Sequence, residues 1–209
     1  MAIALRPTDA LLVIDMQLDF LPGGALAVNG GDQIIPGINA LAARFDHVIL
    51  TQDWHPEGHI SFASTHHLKP FTDTFDAPYG KQTLWPDHCI QNTPGAALHS
   101  DLNIPHTELI LRKGFRRNID SYSAFTENDG TTPTGLAGYL RERNLQRLFF
   151  TGLAFDFCVG FSAIAAAKLG FESIVIDDLT RAVGLPGTVD TTNKAFAEAK
   201  VHLTQSSTF

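Results

Sequence analysis

The sequence predicts a doubly wound α/β fold, a parallel sheet covered by helices on both sides. The first sign is a set of short runs that are apolar on both faces: "ALLVID" (10–15), "HVILTQ" (47–52), "ELILRK" (108–113), "RLFFTG" (147–152) and "SIVIDD" (173–178). Half-buried strands alternate; strands buried on both faces do not. The second sign is the helical pattern between runs, at 36–44, 135–144, 158–169 and 188–200. Strands alternating with helices give a parallel sheet wound in both directions.

Each element has its local reason. The 158–169 helix follows Asp156, a capping type, and stops at Gly170, a good terminator. The interval from Trp54 to about His106 breaks the rhythm. It carries Pro56, Pro70, Pro78, Pro86, Pro94 and Pro105, and seven of the nine histidines. It reads as a loop-rich excursion, and loops this long in a compact domain are usually functional.

Composition narrows the function classes. The chain has 209 residues, enough for one core and one domain, 1–209. A net charge of −7 argues against a nucleic-acid partner, which calls for a basic face. "MAIALRPTDALLVID" has no basic leader, and no apolar run reaches the roughly 18 residues of a membrane span. Two cysteines make no disulfide framework, so a reducing cytoplasm is expected.

In open α/β sheets, ligands bind beyond the carboxyl ends of the strands. Asp15, Asp53, Lys113 and Cys158 all fall at or near such ends. Singly, each is unremarkable: Asp15 reads as a loop cap, Lys113 as a solvated lysine and Cys158 as a small core residue. Together they can converge on one cleft. A first helical turn presents free N–H groups and a favourable dipole, so a thiol there should ionise more easily. Asp156 should oppose that ionisation, so a separate base is needed. Asp15 can be that base, with Lys113 holding both charges, in a nucleophilic triad without histidine.

"DWHPEGH" forms a second constellation. Asp53 and His55 are two apart at a strand end and can point the same way. His59 and, later, His88 complete a set that suits zinc, iron or manganese better than calcium or magnesium. The bland alternative is a group of ordinary loop histidines. Cys89, next to His88, reads as a structural thiol.

Five segments, "LLVIDMQLDFLPGGALAV", "TQDWHPEGHISFA", "LWPDHCIQNTPGAALH", "RKGFRRNIDSYSAF" and "TGLAFDFCVGFSAIAAAKLGF", together resemble the nicotinamidase/pyrazinamidase branch of the isochorismatase-like cysteine hydrolases. The resemblance runs in order from about Leu11 to Val183. It implies a mostly parallel sheet of about six strands flanked by helices. It implies that Asp15 is the base, Lys113 the charge stabiliser and Cys158 the nucleophile. It places Asp53, His55 and His88 at metal-ligand positions, with zinc the first expectation and iron or manganese the others. His59 matches a position that binds metal in only some members. An oxyanion hole from the N–H groups of Ala154 and Cys158 is implied, with a cis peptide before Ala154. Phe20, Leu26, Trp85 and Tyr122 match the flat aromatic pocket. The implied activity is hydrolysis of nicotinamide to nicotinate and ammonia through a cysteine thioester, in NAD salvage. A homo-oligomer is left open.

Two residues depart from the family pattern. Leu18 stands where Asn is usual, and is expected to loosen a hydrogen bond near Asp15. Phe155 stands where a small hydroxyl residue is usual, and is expected to put bulk beside the nucleophile. Other readings are another amidase on this fold, a non-catalytic binding protein, and a hydrolase using metal-bound water. The intact Asp15, Lys113 and Cys158 argue against a binding protein. Survival of thiol alkylation would mark the metal–water enzyme.

Overall fold

The computed structural model describes residues 3–209. The elements, in chain order, are β1 (Asp9–Ile14), α1 (Ile35–Ala42), β2 (His47–Asp53), α2 (Ala63–His66), β3 (Thr74–Ala77), β4 (Gly80–Thr83) and β5 (Leu109–Lys113). There follow α3 (Leu136–Glu142), β6 (Arg147–Leu153), α4 (Gly160–Lys168), β7 (Glu172–Arg181), α5 (Thr188–Ala199) and β8 (His202–Thr204). Six strands form one sheet in the order β5-β2-β1-β6-β7-β8. Every pairing in it is parallel.

The doubly apolar runs have a direct cause. In β1, Leu11 and Val13 face a core shared with Ile35, Ile38 and Leu41 of α1. Ala10, Leu12 and Ile14 face the other core, with Leu136 and Leu140 of α3, Ala163 and Ala166 of α4, and Phe196 of α5. Side chains alternate along a strand, so a strand between two helical layers needs apolar residues at every position.

Three features differ from the sequence reading. The sixth strand, β8, is three residues long, and its His202 and Leu203 are exposed. The excursion holds an antiparallel hairpin, β3 and β4. Cys158 does not open a regular α-helix: it lies in a π-type turn, Phe155–Val159, that leads into α4.

Candidate active site

The parallel register brings the chemistry to one edge. Asp53 and Lys113 end neighbouring strands and pair directly in register. Asp15 follows β1 with φ at 49°, an uncommon left-handed conformation that carboxylate residues tolerate better than most. Cys158 follows β6 by way of a cis peptide between Leu153 and Ala154.

Lys113 stands at the centre, with its side chain fully buried. Its Nζ donates to Asp53 Oδ1 at 2.5 Å, to the Ser121 carbonyl at 3.0 Å and to Cys158 Sγ at 3.3 Å. An ammonium has three protons, and these contacts use all three. Asp15 Oδ2 lies 2.9 Å from the same Nζ as an ion pair, yet accepts no hydrogen bond. The other oxygen, Oδ1, accepts from Thr51 Oγ1 at 2.5 Å. Asp15 therefore keeps one oxygen free in the thiol's neighbourhood, and side-chain atoms of Asp15, Asp53 and Cys158 lie within 4.8 Å of one another.

Electrostatics favour a base-assisted thiol. Burial raises the Asp15 carboxyl, against the pull of Lys113. Burial would raise Asp53 too, but Lys113 and then His55 outweigh it and hold that carboxyl below its ordinary range. Burial pushes the Cys158 thiol well up; Asp15 and Asp53 add to the rise, and Lys113 only offsets it. The sequence expectation of an easily ionised thiol is thus reversed, because desolvation of the charged form dominates. Asp156 is not the opposing charge. Its carboxylate turns away, to Val183 N at 2.8 Å, Gly184 N at 2.9 Å and Thr188 Oγ1 at 2.5 Å.

The histidine set is organised from outside. His55 Nδ1 donates to the Gly114 carbonyl at 2.9 Å, and His88 Nδ1 to the Pro86 carbonyl at 2.7 Å. Each bond orients the ring and directs Nε2 into the site, where its lone pair is available to a cation once the ring is neutral. Those two Nε2 atoms lie 3.5 and 3.8 Å from Asp53 Oδ2. Two imidazoles and a carboxylate within 4.8 Å fit a divalent ion of the zinc type. Burial holds His88 near 4, so it is neutral and ready to bind. His59 stacks on His55 at 4.2 Å, but both its nitrogens are engaged, Nδ1 with Ser61 Oγ at 2.8 Å and Nε2 with the Ile119 carbonyl at 3.2 Å. Its atoms group with His55 and Asp120 instead of joining the Asp53 set.

Phe20, Leu26, Trp85 and Tyr122 line one cleft with Ala154 and Cys158. The Tyr122 hydroxyl accepts from Trp85 Nε1 at 3.1 Å and from Gln82 Nε2 at 3.0 Å, which fixes the ring. Cys89 is buried and unpaired, its backbone N–H given to Asp19 Oδ2 at 2.7 Å. Neither departure lies in the cleft lining. Phe155 faces the second core and packs edge-on against Phe196 at 5.5 Å, leaving Phe157 to line the cleft. Leu18 is 38% exposed, and Thr51 supports Asp15 instead: its Oγ1 accepts from the Asp15 N–H and donates to Asp15 Oδ1.

Sequence reasoning missed Gln17, Thr51 and Asp120. Gln17 clamps the backbone of Asp53, with Oε1 accepting from its N–H at 2.7 Å and Nε2 donating to its carbonyl at 2.8 Å. Its place two residues after Asp15 in "DMQ" was the available signal. Asp120 is buried and lines the cleft.

A family model described as the isochorismatase domain matches residues 9–206, and the chain belongs to that family. Within it, a curated nicotinamidase of Acinetobacter baylyi is 55% identical over 180 residues, covering 86% of this chain and 84% of that protein. A solved Acinetobacter baumanii nicotinamidase/pyrazinamidase superposes with a TM-score of 0.95 at 48% identity, over 98% of this chain and 99% of that one. A Pyrococcus horikoshii pyrazinamidase, solved in complex with zinc, has a TM-score of 0.78 at 32% identity, over 95% and 99% of the two chains.

Proposed function

We propose that the chain, as one catalytic domain, hydrolyses nicotinamide to nicotinate and ammonia through a thioester on Cys158, serving NAD salvage. The observation that carries this is the convergence of buried Asp15 and Lys113 on Cys158, which lines a cleft together with Asp53, His55 and His88. The names of the two Acinetobacter relatives support the substrate.

The free oxygen of Asp15 takes the thiol proton as sulfur attacks the carboxamide carbon. Lys113 holds the charges of Asp15 and sulfur while the proton moves. The N–H groups of Ala154 and Cys158 receive the developing oxyanion. The C–N bond then breaks, and ammonia leaves with the proton from Asp15. Water, deprotonated by Asp15, cleaves the thioester and restores the thiol. Trp85, Tyr122, Phe20 and Leu26 hold the flat ring. Asp53, His55 and His88 would hold a divalent ion, zinc first and iron or manganese otherwise, and that ion would supply a Lewis-acid contact able to orient the ring through its nitrogen. His59 remains outside that set in the arrangement described. Two unpaired cysteines suit the reducing cytoplasm.

Acid-quenched turnover of nicotinamide tests the chemistry. A nicotinoyl adduct on the Cys158 peptide is expected by mass spectrometry. Full ammonia release by Cys158→Ala would overturn the thioester route. Pyrazinamide keeps a ring nitrogen in the same position relative to the amide and should be turned over as well.

A further inference from the structure

The nucleophile turn is tied to the far side of the cleft by one buried carboxylate. Asp156 is 2% exposed and lies two residues before Cys158. Its Oδ1 accepts from Val183 N at 2.8 Å; its Oδ2 accepts from Gly184 N at 2.9 Å and from Thr188 Oγ1 at 2.5 Å. Thr192 Oγ1 adds a long bond to the Asp156 carbonyl at 3.4 Å. Gly160 lets the helix come close, since a Cβ there would meet Thr192 Cγ2 at 2.9 Å. All these partners belong to the segment from the end of β7 into α5.

That segment reaches the cleft at one point. Among the described residues, Val183 is the only lining residue beyond the nucleophile turn. It packs against the core that holds Phe20, Leu26 and Phe157. The segment around it has few other anchors: Val183, Gly184 and Leu185 are partly or fully exposed. Every group that Asp156 engages is a donor. An ionised carboxylate has acceptors only, on two oxygens, and matches that arrangement. An asparagine would turn an N–H₂ group against one of the donors.

We infer that Asp156 is a positioning residue that sets the Val183 wall of the substrate cleft, and through it the tolerance for substituents on the ring. The inference rests on the nicotinamide reading for its substrate. Asp156 does not tune the thiol, whose raised state traces to burial, Asp15 and Asp53.

The test compares the wild-type protein with Asp156→Asn, Val183→Ala and the double variant. For Asp156→Asn, KM for nicotinamide should rise about tenfold, the scale of a small apolar mismatch in a pocket. Discrimination against 5-methylnicotinamide should fall, while iodoacetamide alkylates Cys158 at nearly the wild-type rate. Val183→Ala should do the same. The double variant should be little worse than either single one, because both remove one wall. Thr188→Val, which removes a single bond to Asp156, should show a smaller KM rise and serves if Asp156→Asn fails to fold. An unchanged KM, multiplying effects in the double variant, or a matched loss of alkylation would each overturn the wall assignment. Failure of the nicotinamide reading is distinguished by the wild-type protein, which would then release no ammonia at all.

Discussion

Lys113 and Asp53 meet at 2.5 Å, and their contact joins the two halves of the site. Asp53 gives Oδ1 to the lysine and turns Oδ2 towards His55 and His88. One carboxylate thus serves the thiol's charge network and the histidine set together. Whatever disturbs one half should register in the other.

Lys113→Met should be strongly destabilising. Both Asp15 and Asp53 are buried, and removing one partner of a buried ion pair typically costs about 3–5 kcal/mol. Denaturant unfolding should show the loss. Adding Asp15→Asn to that variant should recover part of it. A Lys113→Met protein as stable as wild type would mean the carboxylates find other compensation.

The two cysteines should behave differently. Cys158→Ala should fold and lose nearly all turnover, whereas Cys89→Ala should keep most of it. Burial pushes the Cys89 thiol well up, and Asp53, Asp15 and Asp19 add to the rise. Peptide mapping after brief iodoacetamide treatment should find label on Cys158 first. Equal labelling would show that the free oxygen of Asp15 gives Cys158 no advantage.

Asp15→Asn should slow acylation by about 10²–10⁴-fold, the usual contribution of a general base. Pre-steady-state ammonia release measures that step directly. If acylation stays at the wild-type rate, another group accepts the thiol proton.

Metal affinity should depend on the protonation of His55. Burial lowers the His55 value, but Asp53 outweighs it and holds His55 above the ordinary 6.5, so below that transition a cation must displace a proton there. His88, near 4, has none to lose. The sign follows: affinity should fall as pH drops through the His55 transition, well before His88 protonates. Calorimetry in buffers of different ionisation enthalpy would reveal the proton. In elemental analysis, His55→Ala and His88→Ala should lose metal, and His59→Ala should retain most of it. Stripping the metal should abolish nicotinamide turnover but spare Cys158 alkylation. Benzamide, without the ring nitrogen, should be a poor substrate.

Much of this was legible in the sequence, for physical reasons. β1, β2, β6 and β7 announce themselves because burial between helical layers demands apolar residues on both faces along most of their length; β5, at the sheet edge, carries an apolar run although Ile110 is 48% exposed. β8 does not, since a three-residue edge strand with His202 and Leu203 exposed leaves no apolar run. The β3–β4 hairpin, "TFDA" and "GKQT", is mostly polar and gives no alternation. The gathering of Asp15, Lys113 and Cys158 at one sheet edge was readable from strand ends and motifs. Their supports were not: Thr51 reaches Asp15, and Gln17 reaches Asp53, across 36 residues, and no local pattern encodes such contacts. The capping role expected of Asp156 failed because three donors beyond β7 claim its carboxylate.

The strand order has a consequence for how the reactive centre comes into being. Lys113, Asp53, Asp15 and Cys158 belong to or follow β5, β2, β1 and β6, four consecutive neighbours in the sheet although scattered along the chain. Parallel neighbours meet only after long crossovers close, and such pairings form slowly. A nascent or half-refolded chain therefore carries Cys158 without Asp15, Asp53 and Lys113 beside it. Catalytic competence reports completion of the central four strands, and regain of turnover should lag behind regain of secondary structure.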